Sequence, residues 1–182
     1  MLNYEEIVFR LRRLCPLFQG RVFGSAEFEQ ALIAMEEGKT TVSVPSAYVN
    51  TLGFECGDNT LLNSLQQAVE EAFTVTVFLD NSHDKAGLTA AGVFPIAMQQ
   101  LNKALLNWEA LPDRTNNPIV SKGGELIGAN RSRAAYQFTF GITWYLGAED
   151  GYEEPNEDLN FVTLEDPNHP AIGKQSVFTG PP

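Results

Sequence analysis

The stretch that decides the fold runs from Phe73 to Trp108 and reads FTVTVFLDNSHDKAGLTAAGVFPIAMQQLNKALLNW. Its first part alternates with period two. Phe73, Val75, Val77 and Leu79 fall on one side and Thr74, Thr76 and Phe78 on the other, which predicts a β-strand covered on at least one face. Asp80 to Asp84 (DNSHD) is polar turn chemistry. Beyond it Phe94, Ala97, Met98, Leu101, Leu105 and Trp108 recur at three- and four-residue steps, the pattern of a helix with one face in a core. Pro95 lacks an amide donor, so the main helix is expected to start near Phe94, with Lys85 to Gly92 a separate turn. A strand followed by a long helix that folds back on its sheet is the nucleus of a layered α and β fold.

Upstream, Tyr4 to Leu14 reads as a helix. Tyr4, Ile7, Val8, Leu11 and Leu14 form its stripe, with acids early, arginines late, and Pro16 after it. Arg10, Arg12 and Arg13 suit the helix dipole; the functional alternative is contact with an acidic partner surface. Val22–Phe23 is compatible with a brief strand. Ser25 is expected to cap a second helix, Ala26 to Glu37, that buries Phe28, Ala31, Leu32 and Met35 and stops at Gly38. Thr41 to Val44 reads as a short strand ended by Pro45, and Ala47 to Leu52 as a possible extension beside the sheet. Gly53 to Asn63 reads as a loop. For Ser64 to Ala72 the pattern prefers a helix that converts to strand at Phe73, since Leu65, Ala68, Val69 and Ala72 have helical spacing; no punctuation separates the two, and one long strand from near Gln66 is the alternative. Downstream, Glu125–Ile127 is a short strand after the Lys122-Gly123-Gly124 turn. Ala134 to Leu146 is the last strong strand, with Tyr136, Phe138, Phe140, Ile142 and Trp144 on one face. That aromatic row suits a sheet core or a subunit contact.

The expected fold class is α+β: a mostly antiparallel sheet of about four strands (42–44, 66–79, 125–127 and 134–145) with helices packed on one face. Residues 1–146 form that domain. From Gly147 the composition changes to eight acidic residues against the single base Lys174, a net of −7 within the chain's total of −11. Five prolines break regular structure there, while apolar residues are spaced along it. Residues 147–182 therefore read as an extended acidic arm that orders against its own domain or a neighbouring subunit. Tyr152, Phe161, Val162, Leu164, Ile172, Val177 and Phe178 are candidate interface anchors. Glu149, Asp150, Glu153, Glu154, Glu157 and Asp158 are a candidate acidic partner or lumen surface.

Composition excludes several classes. No apolar run approaches the roughly 20 residues a membrane helix needs. The N-terminal residues lack the organisation of a secretory signal. Two cysteines, Cys15 and Cys56, are too few for a disulfide scaffold or zinc cluster and are expected to be reduced and separately buried. The negative charge argues against gripping nucleic acid by its phosphates. Asp80, His83 and Asp84 could bind a metal, as a small metal-dependent enzyme would require. Three polar residues after a strand are more simply a turn. No nucleophile elbow, phosphate loop or Cys-x-x-Cys pair occurs, so the residues themselves point to no catalytic set and to no cofactor.

Several strings, in their order, resemble the phage tail terminator (tail completion) family. They are Arg10-Leu11…Leu14-Cys15-Pro16-Leu17; the short helix from Ser25 to Met35 followed by Val42 to Pro45; Phe73-x-Val75-x-Val77; Asp84-x-x-Gly87; Ala104 to Trp108 with Pro112; Gly123-Gly124-x-Leu126; and the aromatic strand. The resemblance spans about Ile7 to Tyr145 and favours a strand at 64–72. The C-terminal arm is longer than the family pattern, and Asn107 stands where a glycine is more typical. The resemblance implies a structural virion protein. Such a protein forms a ring, usually a hexamer, that caps the tail tube, stops its polymerisation and meets the head-side connector or neck protein. DNA passes through its lumen. A neck or head-completion protein is the neighbouring alternative.

Overall fold

The central strand of the sheet is the alternating segment, and it is covered on both sides. In this computed structural model, which describes residues 1–37, 43–81, 88–112 and 117–152 and the backbone of 162–163 and 176–177, β3 spans Gln67–Asp80. The other elements of the first compact unit, Met1–Asp150, are α1 (Tyr4–Leu14), β1 (Val22–Phe23), α2 (Ser25–Glu36), β2 (Ser46–Asn59), α3 (Leu88–Leu105), β4 (Val120–Ala129) and β5 (Arg133–Leu146). The sheet order is β1-β2-β3-β5-β4, with every pair antiparallel except β1 with β2. The fold is α+β with a mostly antiparallel sheet. A second unit, Gly151–Pro182, is described only through β6 (Val162–Thr163) and β7 (Ser176–Val177), which pair antiparallel.

The two sides of β3 do different work. Phe73, Val75, Val77 and Leu79 meet the main core, which Ile7 and Leu11 of α1 and Ala97, Leu101 and Leu105 of α3 complete. The odd-even pattern continues on β5. Phe138, Phe140, Ile142 and Trp144 face the same core, and the Phe73 and Phe140 rings stack with centroids 5.6 Å apart. Phe94 of α3 stacks on Phe138 at 5.4 Å and lies 4.5 Å from Tyr136. The aromatic row is sheet core. On the opposite face Phe78, Tyr48 and Ala135 pack against Ala31 and Met35 of α2. The helices thus divide between the faces, α1 and α3 on one and α2 on the other.

Local chemistry sets the helix ends. Asn3 caps α1, its side chain accepting from the amides of Glu5 at 3.1 Å and Glu6 at 3.3 Å. Gly24, not Ser25, holds the cap position of α2, and Ser25 is its first residue. α3 runs through Pro95 without a break. Pro95 and Ala91, whose carbonyl loses its donor, are both exposed, so water can satisfy the group that a buried site would strand. The helix ends at Leu105 rather than Trp108, because Asn107 turns the chain with φ of 59°. Gly38 lies outside the described residues.

Three strand boundaries depart from the sequence pattern. The strand expected at 42–44 is not there: Ser43 to Pro45 lie outside regular structure, residue 42 is not described, and β2 starts at Ser46. β2 then continues to Asn59 through the segment read as a loop. Gly53, with φ of +94°, absorbs a bulge between Thr51 and Gly53, and the ladder resumes against Ala72 to Val69. The segment before Phe73 is strand from Gln67, because β2 and β5 both offer ladder partners: Val69 pairs with Cys56 on one side and Trp144 on the other. Tertiary pairing overrides a helical pattern that is favourable only locally. β4 is ten residues long rather than three, bulged at Ser121/Gly123 and Leu126/Gly128.

Phe73 is fully buried at the junction of β3, β5 and α1, with Tyr4 set edge-on to it at 6.3 Å. Phe73→Ala is expected to lower unfolding stability by about 3–5 kcal/mol, since a cavity remains where two aromatic neighbours met. Urea denaturation of the two proteins measures it, and a loss below about 1 kcal/mol would contradict this account of the core.

Candidate interaction surfaces

A buried carboxylate fastens the N-terminus to the sheet. Glu71 lies on the face of β3 that α1 and α3 cover and is only 2% exposed. Its oxygens accept from the Leu2 amide at 3.0 and 3.2 Å, the Tyr4 hydroxyl at 2.9 Å and the Trp144 indole N–H at 3.1 Å. A buried acid requires such donors. Burial first, then the hydrogen bond and charge of Glu71, push the Tyr4 hydroxyl well above its ordinary value of 10.0. The arginines of α1 are similarly engaged within the molecule. Arg10 Nε donates to the Ala104 carbonyl at 2.6 Å, and its guanidinium lies 4.4 Å from the Trp108 ring centroid. Arg12 donates from Nε and Nη2 to the Val22 carbonyl at 2.9 and 2.6 Å. They tie α1 to α3 and β1, so for these two residues the architectural role is the observed one.

The expected turn cluster is only partly described. Asp80 ends β3 opposite Arg133, a nearly buried guanidinium that burial pushes down and that the charges of Tyr48 and Asp80 pull back up. His83 and Asp84 lie outside the described residues. Among the described residues no group of three histidine, cysteine or acidic side chains is placed to hold a metal ion, and no helix is long and apolar enough to cross a membrane. Cys15 is buried, and its thiol is pushed up to about 11 by that burial; Cys56 is exposed on β2, against the expectation that both are buried.

At the C-terminal side, Ala148–Asp150 form a turn of 3-10 helix in which Asp150 Oδ2 accepts from the Gly147 amide at 3.1 Å. Glu149, Asp150 and Tyr152 are exposed. Val162 and Val177 are register partners in the β6–β7 pair. Glu153, Glu154, Glu157, Asp158, Phe161, Leu164, Ile172 and Phe178 lie outside the described residues.

The described surface carries features that the sequence pattern did not single out. Leu52 and Phe54 on β2, and Leu126 and Ile127 on β4, are exposed on the two outer strands. Leu61 and Leu62 project from the loop joining β2 to β3. That loop is organised by Asn59, whose side chain bonds the Leu61 and Ser64 carbonyls and the Leu61 and Gln66 amides. An open groove of about 760 Å³ runs beside β2, floored by Val49 and Thr51 and walled by Val8, Phe9, Ser25 and Glu27. The leucine, isoleucine and phenylalanine side chains are apolar, the groove lining mixes Val8, Phe9 and Val49 with Glu5, Arg12 and Glu27, and among the described residues neither carries a convergent set of reactive groups.

The model of the phage tail terminator protein family matches residues 1–150, the whole of the first compact unit. The chain belongs to the phage tail terminator family, and its role is that of a structural protein of the phage tail. No curated relative matches the sequence.

Glu71→Gln keeps the shape of the anchor but turns an amide NH2 toward three donors. It is expected to cost about 1–3 kcal/mol and to accelerate hydrogen exchange at the Leu2 amide; unchanged exchange there would remove the anchoring role. Tyr4 gives a second test. Its folded value is raised above the unfolded one, so its contribution to stability is complete below pH about 10 and is lost as pH rises beyond that. Alkaline unfolding of Tyr4→Phe should lack this loss, measured as a shallower fall of stability above pH about 10.

Proposed function

We propose that the protein forms a homo-oligomeric ring of six copies on the last ring of the tail tube, at the head-proximal end of the virion tail. The ring ends tube polymerisation and presents a joining surface to the head-side connector or neck protein, and DNA passes through its lumen without specific binding. Assembly takes place in the host cytoplasm. The observation that carries this reading is the family match across the entire first unit. The net charge of −11 supports it, because an acidic channel repels phosphates and keeps DNA from sticking. The protein acts by occupying a polymer end, with no turnover and no cofactor.

The arm from Gly147 serves the ring in this reading. Tyr152, Phe161, Val162, Leu164, Ile172, Val177 and Phe178 contact the adjacent subunit, and Glu149, Asp150, Glu153, Glu154, Glu157 and Asp158 face a partner or the lumen. The spacing of apolar anchors between prolines supports a segment that orders against a neighbour, and a closed ring needs such head-to-tail contacts.

Light scattering behind a sizing column, with and without isolated tail tubes, tests the ring. A discrete species near six times 20.0 kDa is expected. Tubes that continue to elongate in the presence of excess protein would refute end-capping, and binding to the portal side alone would transfer the chain to the neck. A truncation ending at Asp150 is expected to keep the fold, read by an unchanged urea midpoint, and to weaken ring assembly about tenfold or more. Full assembly by the truncated chain would remove the arm from the interface.

A further inference from the structure

The sheet has two open edges, and they match each other. β1 covers β2 only at Ala47 and Tyr48, so from Val49 to Asn59 the outer side of β2 has no strand beside it among the described residues. β4, at the other end of the order, has β5 as its one strand neighbour among the described residues. Unpaired edges of this length are templates for pairing with another chain. Each edge is bulged twice and keeps a four-residue regular run between its bulges: Gly53–Cys56 on β2 and Gly123–Leu126 on β4. Bulges protect an edge from indiscriminate pairing, and they leave one short run on each side to be matched.

We propose that the outer edge of β4 pairs antiparallel with the outer edge of β2 of a second copy of this chain, so that the sheet continues from subunit to subunit around the ring. The proposal rests on the ring reading above and names its contact. Strand polarity supports it first. β2 and β5 run opposite to β3, and β4 runs opposite to β5, so β2 and β4 point in opposite directions. Rotation about an axis along the strands preserves those directions and brings β4 of one copy antiparallel to β2 of the next. This is a heterologous contact, the kind a ring closes with.

Side-chain chemistry then selects the register. Residues opposite each other must share a face. Phe54 is in register with Glu71, on the side of α1 and α3. Gly124 lies on the same side through Phe138 and Val75. Phe54 opposite Gly124 sets Leu52 beside Leu126, both exposed in the single copy, and brings Glu55 to Gly123. Moving the register by two residues would set Glu55 directly against Glu125, which like charges disfavour. Past Leu126 the incoming strand carries Ile127 into the groove floored by Val49 and Thr51, which begins where β1 stops. There an exposed apolar residue meets Val8, Phe9 and Val49 within a groove whose rim also carries Glu5, Arg12 and Glu27.

The geometry also closes. Phe54 is level with Glu71 of β3 and Gly124 with Val75, an offset of four residues across four strands. At about 3.3 Å per residue and about 4.8 Å per strand, that offset tilts the strands by about 35° from the ring axis. Sheets close into barrels at about 35–45°.

Cys56 supplies the test, because it is exposed on β2 while Cys15 is buried. In the chosen register Cys56 meets the region of Ser121, an exposed residue on the same side, with Lys122 as the extra residue of the bulge. Full-length Ser121→Cys is oxidised across a concentration series, with and without tail tubes, beside Ser121→Cys/Cys56→Ser, and the assembled mass is measured in parallel. Linked ladders in the first variant, about tenfold above those in the second, are expected. Multi-subunit assembly without that linkage overturns the edge pairing and leaves the ring. Linkage that persists without Cys56 shows β4 meeting β4 across a two-fold axis and overturns it as well. A protein monomeric under every condition overturns the pairing and the ring together.

Discussion

The structure depends on β3 being enclosed on four sides. Its two edges are paired, with β2 and β5, and its two faces are covered, by α1 and α3 on one side and α2 on the other. A strand so placed must be apolar on both faces wherever helices cover it, and Phe73 to Leu79 is buried throughout. Thr74 and Thr76 fit because a β-branched side chain packs well on a pleated surface. Every other element is located by its relation to this strand. α1 is fixed by Glu71, α3 by the aromatic face shared with β5, and α2 by Phe78 and Tyr48.

Glu71 connects stability to the shape of the surface beside β2. A carboxylate in a core is costly alone, and here it collects the Leu2 amide, the Tyr4 hydroxyl and the Trp144 indole N–H. Those contacts hold the start of α1 against the lower part of the sheet. Tyr4, Val8 and Phe9 of that helix then form one wall of the groove beside β2. The surface offered to a neighbour is therefore shaped by a buried polar contact and not by surface residues alone.

Much of this was legible in the chain. The alternation from Phe73 to Leu79 and the aromatic row from Tyr136 to Trp144 are period-two patterns long enough to exclude a helix. The ordered strings around Pro16, Trp108 and Gly123-Gly124 pointed to the family. Less was legible where pairing partners decide. Gly53 to Asn59 has loop composition and becomes strand only because Ala72 to Gln67 lies beside it. Val120 to Gly124 is polar and glycine-rich, and β5 makes it an edge strand. Glu71 carries no distinguishing signal in the sequence, and no spacing rule reveals that Trp144 and Tyr4 converge on it.

The sequence by itself determined the α+β class, the central strand, the aromatic face of β5 and the family, because periodicity and local motif order survive in one dimension. Tertiary structure alone decided the extents of β2 and β4, the division of helices between the two faces, the Glu71 anchor and the two open edges of opposite polarity. Those features depend on partners outside the local segment, from the strand across a turn for β2 and β4 to Leu2 and Trp144 for Glu71. Local composition holds no record of which distant segment will supply them.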